Sequence, residues 1–366
     1  MGNNNSSTLT INLDRTSLFY FTDEVVSGTV ALNITEGKVE ADEIYIQMTG
    51  EIGYTTQKRV VRDRNGHIIM TGTITNSTDR ITYETEYHHI PFYSAKAIFA
   101  HPKAGQKQVV YTQGKHLWPF EVPLTNHLPP TINQPESYPH VRYYLQVVID
   151  KPWYKPNTRE TKYITVFPKV NLLHNPQYVQ TITFGNHNRK DITLTGTLNK
   201  SAYVPGETIH VTFDIENPQR VVIKSIVLSM LQSHRIGQNS RGHNIFQTTL
   251  PNIMKSKDQH IKQTYDVQIP SITLPPSYQF QGGISKVAFV NNNYMLKFVV
   301  KVEGMFTNFD IDIPIVVGTE VDSDKSHQHT LNPWFIADSS NAEQSMFTDH
   351  DHDGLPSYET ATQHIK

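Results

Sequence analysis

The chain contains no cysteine, which removes disulfides, thiolate metal sites and a cysteine nucleophile at once. It has no surplus of one charge. Lys and Arg number 32 against 34 Asp and Glu, so the basic excess that neutralises phosphates is missing and no nucleic-acid partner is expected. No apolar run approaches the roughly 20 residues that cross a bilayer as a helix. The polar opening Met1-Gly2-Asn3-Asn4-Asn5-Ser6 lacks the charged and apolar regions of a secretion signal, and with the absent cysteine it suits a cytoplasmic protein. Sequence signatures of chemistry are missing too. There is no Gly-x-Ser-x-Gly elbow, Walker loop or dinucleotide fingerprint, and the 18 histidines include no His-Glu-x-x-His. No catalytic residue, metal or cofactor is therefore expected, and the chain reads as a non-enzyme.

What is present is strand. Val26, Gly28, Val30, Leu32 and Ile34 alternate with Ser27, Thr29 and Asn33, the period of a strand with one buried face. Val141, Tyr143, Leu145, Val147 and Ile149 repeat the pattern, as do Tyr294, Leu296, Phe298, Val300 and Val302. Turn signals separate such runs at Glu36-Gly37 and at Asn65-Gly66, the latter predicting a tight hairpin between Val60-Val61 and Ile68-Ile69. No long segment holds a helical period, so the chain is expected to be all-β.

The sequence also repeats itself. Tyr20-Phe21-Thr22-Asp23-Glu24 lies over Tyr203-Val204-Pro205-Gly206-Glu207, and Ile44-Tyr45-Ile46-Gln47-Met48 over Ile226-Val227-Leu228-Ser229-Met230. Leu128-Pro129-Pro130-Thr131 mirrors Leu274-Pro275-Pro276-Ser277, and Tyr143 to Ile149 mirrors Tyr294 to Val300. Four blocks in one order imply a duplicated domain, with extra hairpin or loop around residues 54–110 of the first copy. Many short alternating strands per copy are most simply folded as two packed antiparallel sheets, an immunoglobulin-like β-sandwich. The chain is thus expected to comprise a flexible arm at 1–7, sandwiches at 8–168 and 169–320, and a tail at 321–366. That tail is rich in Asp, Glu, Ser, His and Asn with few apolar residues, a composition that cannot offset the entropy of ordering.

These residues also carry a resemblance. The duplicated Tyr-x-x-x-Glu opening, Trp118-Pro119-Phe120-Glu121-Val122-Pro123-Leu124 and Lys151-Pro152-Trp153 resemble the N-terminal domain of α-arrestins. Tyr203 to Glu207 and Leu274 to Ser277 resemble the arrestin C-terminal domain. The resemblance implies an adaptor that grips cytosolic tails of membrane proteins and recruits ubiquitination or endocytic machinery at the plasma membrane and endosomes. A retromer-like coat subunit, which shares the double sandwich, is the alternative. Visual and β-arrestins add an ionic core that senses phosphates. The stretch Thr161 to Lys169 here has Lys rather than Arg, so the arginine of that ionic core is not placed and the resemblance leaves phosphate sensing open.

Three short motifs remain. Leu355-Pro356-Ser357-Tyr358 is a variant of Pro-Pro-x-Tyr, which WW domains read as a polyproline helix plus a tyrosine; the resemblance makes a HECT-type ubiquitin ligase its expected partner. Pro275-Pro276-Ser277-Tyr278 matches the consensus better but falls between strands, where it reads as a structural corner. Asp349-His350-Asp351-His352-Asp353-Gly354 imitates a calcium loop, yet Thr360 stands where the bidentate Glu belongs, leaving a solvated acidic stretch. Finally, Met-Gly-x-x-x-Ser at the N-terminus makes Gly2 a candidate for myristoylation and membrane contact.

Overall fold

The computed structural model describes residues 7–63, 65–69, 80–305 and 307–320. The first half of the chain contributes eight strands: β1 (Ser7–Leu13), β2 (Phe19–Phe21), β3 (Val25–Ala41), β4 (Glu43–Arg62), β5 (Arg80–Ala100), β6 (Val109–Pro123), β7 (His140–Asp150) and β8 (Thr158–Phe167). Ten follow: β9 (Ile182–His187), β10 (Thr193–Leu198), β11 (Ala202–Tyr203), β12 (Thr208–Glu216), β13 (Ile223–Ile236), β14 (Asn239–Thr249), β15 (His260–Gln268), β16 (Tyr278–Gly282), β17 (Ala288–Val302) and β18 (Phe309–Val317). Helix among the described residues is confined to two short 3₁₀ turns, Leu172–His174 and Pro176–Val179.

Each half forms two sheets, so the fold is all-β with two sandwich domains. In the first, β1-β3-β6 faces β2-β8-β7-β4-β5. In the second, β9-β10-β12-β15 faces β11-β18-β17-β13-β14, with β16 paired to β17. The alternation in sequence is the alternation of burial. Val26, Val30, Leu32 and Ile34 of β3 and Val141, Tyr143, Leu145, Val147 and Ile149 of β7 are all buried, because successive side chains of a strand point to opposite faces. The second core centres on Phe298, whose ring meets Phe213 edge-on at 5.0 Å and stacks on Phe184 at 5.3 Å.

The duplication extends to side-chain chemistry. β2 runs parallel to β8, as β11 runs parallel to β18, and each short strand ends in the same clamp. The Glu24 carboxylate accepts from the Phe21 amide and pairs with Arg15 at 3.1 Å, while Arg15 covers the Tyr20 ring at 4.2 Å. Glu207 accepts from the Val204 amide at 2.9 Å and pairs with Lys200 at 2.8 Å, and Lys200 lies over the Tyr203 ring. The repeated Tyr and Glu therefore fix the entry of the chain into each sandwich. The central tyrosines match as well: Tyr143 donates its hydroxyl to the Pro129 carbonyl and Tyr294 to the Pro275 carbonyl.

Of the two turn readings, one resolves differently from expectation. Glu36-Gly37 does not end a strand. β3 continues to Ala41, and its pairing with β6 shifts between Ile34 and Lys38, a bulge that Gly37 accommodates at φ 75°. The Asn65-Gly66 hairpin forms as expected: the Asp63 amide donates to the His67 carbonyl, the Ile69 amide to the Val61 carbonyl, and Arg62 bridges Ile68. The long partner of β4 is β5, paired from Ile44↔Ala100 out to Arg62↔Arg80. This extended hairpin is the extra length around residues 54–110; the corresponding β13 and β14 pair only as far as Ile236↔Asn239.

Candidate functional site

Gly2 and Leu355, Pro356, Ser357 and Tyr358 lie outside the described residues. The Pro-Pro-Ser-Tyr segment of the second domain lies within them and is fully engaged. Asn292, which is buried, donates its amide to the carbonyls of Pro275 and Pro276 at 3.0 and 2.9 Å and accepts from Gln232. The Ser277 amide donates to the Val317 carbonyl, and the Val317 amide to the Ser277 hydroxyl. Tyr278 begins β16. A peptide held on both sides in this way is not free to adopt the polyproline helix that a WW groove requires. Asn292→Ala, which strands the Pro276 carbonyl and the Gln232 amide while Pro275 keeps the Tyr294 hydroxyl, is expected to cost about 2 kcal/mol of unfolding free energy, measurable by urea denaturation.

The two sandwiches meet along a seam built from the ends of long strands. Ile236, Ala288, Val290 and Phe280 of the second domain join the core of the first, and Phe280 packs on Phe92, which packs on Tyr143. Polar pairs fix the register. Asn239 accepts from the Thr55 amide at 2.7 Å and donates to the Thr55 carbonyl at 3.0 Å, so one side chain mimics a strand partner. The Ile284 amide donates to the Pro91 carbonyl. His234 is wholly buried at the seam, and its Nε2 accepts from the Asn133 amide at 3.2 Å. Its Nδ1 has no hydrogen-bond partner among the described residues. Burial, aided by the charges of His243 and Arg241, pushes its pKa down to about 4.

Beside the seam the first domain carries a compact polar cluster. The pairing of β4 with both neighbours sets His89, Gly53 and His140 in line across the sheet. Glu51, two residues back on β4, belongs to the same face. The Glu51 Oε1 accepts from His89 Nδ1 at 2.7 Å and from Arg142 Nε and Nη2 at 3.1 and 2.8 Å. His89 Nε2 in turn accepts from the Tyr138 hydroxyl at 2.7 Å. Burial raises the Glu51 carboxyl, but contacts from the two histidines and the Arg142 charge outweigh it and hold the group well below the usual carboxylate range. His140 Nε2 is 3.8 Å from that carboxylate, beyond hydrogen-bond reach, so His89 and Arg142 carry most of the lowering. The cluster escapes sequence reading because its members sit 38 and 51 residues apart from one another on three strands; only the strand register joins them.

Lys162 Nζ donates to the Ile11 carbonyl within the first domain. The hairpin end between β7 and β8 exposes Trp153 almost completely beside Lys151, Lys155 and Arg159.

Two duplicated sandwiches joined end to end by a packed seam define the class of fold. Comparison with known families agrees: residues 9–173 match the domain described as arrestin (or S-antigen), N-terminal domain, and residues 188–320 match arrestin (or S-antigen), C-terminal domain. The chain belongs to the arrestin family. Members of this family are generally adaptors for membrane receptors and typically lack enzymatic activity. Among the described residues, no helix is long and apolar enough to cross a membrane.

Proposed function

We propose that this arrestin-family chain is an adaptor of the α-arrestin type, holding cytosolic tails of membrane proteins and recruiting a WW-domain HECT-type ubiquitin ligase for their ubiquitination, endocytosis and endosomal sorting. The observation that carries the reading is the position of Leu355-Pro356-Ser357-Tyr358 downstream of Val317, where the last strand among the described residues ends. The motif has the composition of a WW ligand in a polar segment, and the other Pro-Ser-Tyr of the chain is tied into a corner. With Leu in place of the first Pro and one copy in the tail, affinity is modest and avidity is absent. Gly2, if acylated, adds a second weak contact; one myristoyl chain gives an association constant of only about 10⁴ per molar, suited to an adaptor that samples cytoplasmic membranes until cargo is engaged.

The test is a titration of ligase WW domains with a peptide spanning Asp353 to Gln363 and with the full chain. Binding is expected for both, and Tyr358→Ala is expected to abolish it by removing the ring that fills the groove. Binding that survives Tyr358→Ala would refute the assignment. Proximity labelling in the native cell that returns vesicle-coat subunits and no ubiquitin ligase would favour the coat-subunit reading.

A further inference from the structure

We propose that Glu51, His89 and His140 form a binding site for one zinc ion on the first domain, beside the seam. The starting point is His140. Its ring is wholly buried, and Nδ1 donates to the Ser137 carbonyl at 2.9 Å. A neutral imidazole has one N–H, so that bond fixes the proton on Nδ1 and leaves a lone pair on Nε2. That Nε2 is buried with no hydrogen-bond partner, and the nearest charged group is the Glu51 carboxylate. A lone pair aimed at an anion in a dry site is unfavourable unless something positive lies between them.

The neighbouring groups make that something a metal. One donor atom from each of Glu51, His89 and His140 lies within 4.8 Å of the others. Two imidazoles and one carboxylate form a donor set that zinc accepts and that calcium and magnesium, which favour oxygen, do not. The outer contacts have the form that supports such sites, in which a ligating histidine donates its second ring N–H to a carbonyl or other oxygen. His140 already does so through Ser137. His89 can do so by moving its proton from Nδ1 to Nε2, where the Tyr138 oxygen, now 2.7 Å away, would accept it.

Gly53 makes the convergence possible. It stands between His89 and His140 in the sheet, and a Cβ there would collide with the His140 ring at Nε2 and Cε1. The absent side chain is the space into which the ring turns. His89 is about one-third exposed whereas Glu51 and His140 are closed off, so the fourth coordination position opens toward solvent on the His89 side. Arg142 remains on Glu51 and orients the carboxylate. Because one carboxylate faces both Arg142 and a dication, the open position is best filled by hydroxide or another anion.

The test uses the full chain, stripped with chelator and then titrated with zinc chloride by calorimetry, with cobalt as a spectroscopic probe. One zinc per chain is expected, with a tetrahedral cobalt spectrum and a thermal midpoint that rises with zinc. His140→Gln and His89→Gln are each expected to weaken binding by at least about 10-fold. His210→Gln, which alters an exposed histidine paired with Asp266, should leave it unchanged. Melting of each variant in chelator checks that it folds. Failure to take up zinc, or affinity indifferent to both cluster substitutions in folded protein, would overturn the proposal. So would an NMR titration that finds His140 doubly protonated at neutral pH and blind to added zinc, since the positive charge would then be a proton.

Discussion

Gly237→Val is expected to lower the unfolding free energy by about 3 kcal/mol and to loosen the docking of the second sandwich on the first. Gly237 sits in the tight turn between β13 and β14 at φ 56°. That region costs an ordinary residue about 1–2 kcal/mol, and a β-branched residue is disfavoured further. Space is lacking as well, because a Cβ would stand 2.5 Å from the Tyr54 ring. That ring cannot easily withdraw. It is buried and stacked on His88 at a centroid distance of 4.7 Å, so the overlap adds roughly 1–3 kcal/mol of overpacking. The Gly237 amide itself already donates to the Phe289 carbonyl at 2.8 Å, which prevents the turn from swinging aside. Denaturant unfolding measures the stability, and small-angle scattering the separation of the domains. A second substitution, Tyr54→Ala, should restore part of the docking by opening room for the valine. An unchanged midpoint in Gly237→Val would mean that the turn does not carry the seam.

The fold was legible because its information is local and doubled. The alternation in β3, β7 and β17 reports burial directly, and the repeat of Tyr20 to Glu24 at Tyr203 to Glu207 reports a clamp that is built twice with different cations, Arg15 and Lys200. The two proline corners were legible for the same reason, since each recurs ahead of its tyrosine in the same order, although 14 residues separate Pro129 from Tyr143 and 19 separate Pro275 from Tyr294. Turns were less so. Glu36-Gly37 has the composition of a chain reversal, but both flanks still pair with β6, and only the tertiary ladder distinguishes a bulge from a turn. Side-chain clusters were not legible at all. Glu51, His89 and His140 come together through the register of three strands around Gly53, and neither that register nor the seam contacts of His234 and Asn239 leave a short-range pattern. The proposed ligase motif is the opposite case, a short linear pattern that needs no fold to be seen.

Acidification from pH 7 to pH 5 is expected to cost the protein about 2 kcal/mol through His234 alone. In the unfolded chain this histidine titrates near 6.5, whereas in the folded protein its pKa is pushed down to about 4. Folding therefore disfavours proton uptake. Above pH 6.5 both states are neutral and the group exerts no effect. As the pH falls through the window from 6.5 to 4 the unfolded chain gains a proton that the folded one refuses, and stability declines. Below pH 4 both are charged and the loss levels off at about 3 kcal/mol, from 1.36 kcal/mol per pKa unit. The physical cause is visible at the seam. Asn133 donates to Nε2, so that nitrogen must keep its lone pair, and a proton there would set N–H against N–H in a fully buried site. His243, stacked on the ring at 5.3 Å, and Arg241 add repulsion when the ring is charged. Other groups titrate over the same range, so the comparison is differential: the change in unfolding free energy between pH 7 and pH 5, wild type against His234→Gln. Glutamine can accept from Asn133 without ever gaining a charge, so the variant should lose about 2 kcal/mol less on acidification, even if it starts less stable. Equal losses in the two proteins would show that His234 titrates normally and that water reaches the seam.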